Sequence, residues 1–116
     1  MLLCLGCLWL ALAGLANVPR VAFLHPPALV SEDALVTYYV RVLRHEDNRL
    51  LIVAAMAEDG MVSETRRQLD GAHSAPLVNV NWRLPAGEMQ LVAAVFSQTE
   101  QVGRAVHPLV VYAVGP

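Results

Sequence analysis

The chain has 116 residues, room for one domain of ordinary size. Eight basic against ten acidic side chains leave a formal net charge of −2, which excludes the strong positive field of a nucleic-acid or anionic-membrane binder. Hydrophobic residues make up 56%, and the excess is local: within residues 1–16 only Gly6 and Gly14 fall outside the apolar set.

Residues 2–16 form a near-continuous apolar run that leads into Asn17, Val18, Pro19 and Arg20, the core and exit of a secretory signal peptide. As a helix the run would reach only about 22 Å, at ~1.5 Å per residue. That falls short of a hydrocarbon core of ~30 Å, so a cleaved leader is expected rather than a permanent span. Gly14-Leu15-Ala16 offers the small-x-small pattern of a cleavage site. The expected organisation is therefore a signal peptide over residues 1–16 and one exported domain over residues 20–116, secreted or periplasmic. Both cysteines, Cys4 and Cys7, fall inside the leader. Two thiolates do not close a zinc site, and the Cys-x-x-Cys pair lacks the βαβ setting of a redox motif. A small residue, Gly6, precedes Cys7, which leaves lipid anchoring in the cell envelope as the alternative.

From Arg20 onward, short β-type runs alternate with turn chemistry every 8 to 12 residues, the spacing of a sandwich or small barrel. Residues 20–24 give a first strand, interrupted by His25-Pro26-Pro27, where two missing backbone donors require an edge. Residues 28–30 continue it. Residues 35–44 follow, with Val36, Tyr38, Val40 and Val42 on one inward face at period two. After the polar turn His45-Glu46-Asp47-Asn48, residues 49–57 are apolar at nearly every position, which predicts a central strand. Asp59-Gly60 signals a tight hairpin into residues 61–69. Glu64, Arg66 and Arg67 mark that segment as an edge strand guarded by charge. Residues 77–84 place Val78, Val80, Trp82 and Leu84 inward, and residues 88–96 are apolar on both faces, as in a second central strand. Residues 104–114 close the domain, with a bulge or strand switch expected at Pro108.

Leu84-Pro85-Ala86-Gly87-Glu88-Met89, running into the alternating residues 91–96, resembles the LPAGxY segment of secreted bacterial immunoglobulin-like modules. Met89 stands where that pattern has Tyr, so the tyrosine-corner hydrogen bond is not expected. The resemblance covers nearly all of residues 20–116. It implies an all-β fold: a seven-stranded antiparallel immunoglobulin-like (fibronectin type III-like) sandwich. Because many activities share this architecture, the resemblance implies no chemistry of its own.

Catalysis is not expected. The serines lack a nucleophile elbow, no cysteine lies outside the leader, and no cofactor motif is present. The expected function is an exported non-catalytic module for protein interaction or structural support. Alternating strand direction should bring the second-to-third, fourth-to-fifth and sixth-to-seventh loops to one end. That end would gather His45, Asp47, Asp70, His73 and Glu100, the candidate binding group of an alternative reading as a periplasmic metal- or small-ligand-binding protein. No H-x-H or H-x-x-x-H spacing supports a local metal motif. Glu32-Asp33 and Glu58-Asp59 belong to the opposite end and read as solvated turns.

Overall fold

A computed structural model describes residues 18–115. Among these, the chain forms eight strands: β1 (Val21–Leu24), β2 (Leu29–Ser31), β3 (Val36–Val42), β4 (Leu50–Ala57), β5 (Gly60–Gln68), β6 (Leu77–Trp82), β7 (Gly87–Phe96) and β8 (Gln101–Tyr112). They make two sheets, β1-β3-β6 and β2-β8-β7-β4-β5, in a β-sandwich-like arrangement. The expected leader, with Cys4 and Cys7, lies outside the described residues. Among the described residues no helix is long and apolar enough to cross a membrane.

Alternation decides which side chains meet between the sheets. Tyr38, Val40 and Val42 of β3 and Val80 and Trp82 of β6 are buried, and they pack with Leu51, Val53 and Ala55 of β4 and with Leu91, Ala93 and Val95 of β7. The Tyr38 and Trp82 rings lie 5.7 Å apart at 48°. Trp82 satisfies its indole by donating from Nε1 to Thr65 Oγ1 at 3.0 Å, a bond that ties β6 to β5 across the two sheets. As the patterns of residues 49–57 and 88–96 predict, β4 and β7 are interior strands, and β5 is an edge.

Several expectations need correction. Among the described residues there are eight strands rather than seven, and the larger sheet is mixed, because β2 pairs parallel with β8. The His25-Pro26-Pro27 interruption does more than break a ladder. His25 takes a left-handed φ of 44°, and the chain crosses from β1 in one sheet to β2 in the other. Pro108 is also not a bulge: β8 runs straight through it, paired with Gln90. Val110 donates its N–H to Ala28 O on the β2 side, so the nitrogen of Pro108, two residues earlier, faces the same way. There β2 has not yet begun, and no ladder bond is lost. The register shift falls instead at Val95/Phe96, leaving Val102 unopposed. The last strand also begins earlier than expected, at Gln101, because Ser97 closes the turn quickly. Its N–H donates to Glu100 O, and its Oγ accepts from the N–H of Thr99 and of Glu100.

Candidate functional site

The end of the molecule that carries the β3–β4, β5–β6 and β7–β8 loops collects polar groups as strand alternation requires. Its hub is Asn48, 1% exposed, which sequence patterning marks only as part of a turn. The Asn48 side chain donates from Nδ2 to Leu43 O at 3.0 Å and accepts from Arg20 Nη1 at 2.9 Å. The main-chain carbonyl of Asn48 accepts the N–H of Gly71 and Nη1 of Arg49. One buried residue thus joins the start of β1, the β3–β4 loop and the short 3₁₀ turn Gly71–His73. Gly71 has φ +56°, and a Cβ there would stand 2.9 Å from Glu46 O, so this docking requires glycine.

Arg20 reaches past Asn48 to Asp47, with Nη1 3.0 Å from Oδ1, while His45 Nδ1 contacts the same carboxylate. Partial desolvation works to raise the Asp47 pKa. The hydrogen bond from Arg20 and the nearby charges of His45 and Arg20 outweigh it and hold the carboxyl below its ordinary value. His45 Nδ1 also lies 3.3 Å from the N–H of Asp47.

Of the five residues expected at this end, only His45 and Asp47 bring their side chains together. Asp70 precedes the 3₁₀ turn and His73 ends it, the His73 N–H donating to the main-chain oxygen of Asp70, and both are exposed. Glu100 lines a shallow recess of about 280 Å³ with Asp47, Arg49, Ser97, Gln98 and Thr99. Among the described residues no group of three or more His, Cys, Asp or Glu is placed to hold a metal ion. The residue that sequence reasoning missed is Arg20, which lies 27 positions from Asp47. Gly103 would have been its only signal: a Cβ there would meet Arg20 Cβ at 2.6 Å, so β8 leaves the space that Arg20 crosses.

The second candidate surface is the β5 edge. Leu69 donates its N–H to Arg49 O, so odd positions of β5 face β4 and the backbone groups of Glu64, Arg66 and Gln68 face outward. Arg66 and Glu64 form an ion pair on this edge, and Arg67 is exposed beside them. At the opposite end of the sandwich, Glu58 and Asp59 make the two-residue hairpin turn. With Glu88, Met56, Met89 and Val110 they border an open groove of about 1150 Å³. Glu32 is used structurally, accepting the N–H of Val114 at 3.0 Å. Comparison of the sequence with protein-family models and with curated proteins finds no match.

Proposed function

We propose that the chain is an exported, non-catalytic immunoglobulin-like module for protein interaction or structural support. The strand order supports the immunoglobulin-like reading. With β1, β3 and β6 taken as A, B and E, and β8, β7, β4 and β5 as G, F, C and C′, the sheets follow A-B-E against G-F-C-C′. On this reading β2 is a divided part of the first strand.

The observation that carries the interaction reading is the open β5 edge. It presents three outward residues of unpaired backbone on a rigid sheet, while the Glu64–Arg66 pair limits indiscriminate pairing. A partner strand added there would be recognised by main-chain hydrogen bonds and selected by charge. Arg66→Pro removes one outward N–H and spares every bond to β4, whereas proline at Thr65 would break the internal ladder and the Trp82 contact. With a cell-envelope fraction as the source of partners, capture that wild type and the His45→Ala/His73→Ala double variant share, but Arg66→Pro loses, supports edge recognition. Equal capture by Arg66→Pro overturns it.

Convergence of the loops favours the second reading, a metal or small ligand held near His45, Asp47, Asp70, His73 and Glu100. Against it, Asp47 already satisfies Arg20 and His45. Stoichiometric metal in protein purified without an affinity tag would favour this reading.

A further inference from the structure

The four outer strands of the two sheets are not equally protected. β1 and β2 have only four and three residues and flank two prolines. β5 carries Glu64, Arg66 and Arg67. β6, Leu-Val-Asn-Val-Asn-Trp, has six residues without a charge, a proline, a glycine or a register shift. Such a segment on an edge is the kind that takes up another strand.

Its free side is defined by the ladder to β3. Val42 donates its N–H to Pro76 O, so even positions of β6 bond to β3 and the backbone groups of Leu77, Asn79 and Asn81 point away. Among the described residues no backbone group meets them. The side chains of these three residues are exposed on the outer face, Leu77 at 47%, while Val78 and Val80 turn toward the core.

We propose that β6 pairs with β6 of a second copy, antiparallel and centred on Asn79, joining two three-stranded sheets into one of six strands. The outward backbone groups of the two copies come into register about that point. With Asn79 opposite Asn79, Leu77 meets Asn81, and each of these pairs is of the type that exchanges both backbone bonds, about six hydrogen bonds in all. On the inward face Val78 falls opposite Val80, a β-branched cross-strand pair in both halves of the interface. The arrangement is closed and two-fold, so it ends at a dimer and does not grow into a fibre. The uncharged edge lets two identical strands approach without placing like charges opposite each other, a condition that β5, with Glu64, Arg66 and Arg67, does not meet. An edge of six residues buries less than a standard interface, so association is weak and concentration-dependent.

Asn79→Lys and Asn79→Asp test the pairing, because each places a like charge opposite itself at the two-fold axis on a side chain that already faces water. Sedimentation equilibrium of the wild type should show a dimer that forms as concentration rises. Each variant, with an unchanged circular dichroism spectrum, should self-associate about tenfold or more weakly. An equimolar mixture of the two should recover dimerisation, as opposite charges then meet. A wild type that stays monomeric up to about 1 mM, far above a micromolar interface, overturns the proposal. So does a dimer that neither variant weakens, or a mixture that fails to recover it.

Discussion

Trp82 concentrates several stabilising terms in one side chain: burial at 8% exposure, a tilted contact with Tyr38 and an indole hydrogen bond to Thr65. Trp82→Ala removes all three and should cost about 3 to 5 kcal/mol, a large part of a small domain's stability. Asn81, its neighbour on the exposed face, bonds only the Thr37 hydroxyl, and Asn81→Ala should shift a denaturant midpoint little. Equal shifts for the two would mean that the β6 register is wrong by one residue. Asp47 gives a pH signature. Because its folded pKa lies below the unfolded value, ionised Asp47 stabilises the fold above the ordinary carboxylate range, and that contribution is lost as pH falls through the folded pKa. The difference in unfolding midpoint between wild type and Asp47→Asn should therefore be present at neutral pH and shrink below about pH 4. A difference that grew on acidification would contradict the Arg20–Asp47 pairing.

Strands were legible where one face is buried and the other wet. Residues 77–84 alternate because Val80, Trp82 and Leu84 sit between the sheets while Asn79, Asn81 and Arg83 do not. The interior strands β4 and β7 were legible from their apolar outer positions, since Ala54 and Ala94 remain buried on the side away from the core. The sheet change between β1 and β2 was not. Prolines show where a ladder must stop, but the partner that resumes it, here the parallel β8, is chosen by tertiary packing. The same limit applies to the loop end: strand alternation placed His45 and Asp47 near the other loops, whereas Arg20 enters only through a gap at Gly103. Gly103→Ala should push Arg20 off Asp47 and Asn48 and lower thermal stability, and Arg20→Gly, which removes the Cβ that the new methyl would meet, should largely remove the penalty of the second substitution. Additive losses would contradict this coupling.

At the scale of the whole molecule, two packed sheets leave two long edges open, β5 guarded by charge and β6 not. Export would bring those edges to partners outside the cytoplasm. Expressed with residues 1–16, the mature product should begin at Asn17 on N-terminal sequencing, and recovery of Met1 from a soluble cytoplasmic product would contradict a cleaved leader. Recognition at β5 and pairing at β6 both require edges that are free in the isolated domain, and residue-resolved amide hydrogen exchange on dilute protein tests this directly. The amides of Glu64, Arg66 and Gln68 in β5 and of Leu77, Asn79 and Asn81 in β6 should exchange quickly. Those of Thr65, Arg67, Val78 and Val80, which face β4 or β3, should be protected. Uniform protection along either strand, or protection on the opposite parity, would contradict the account.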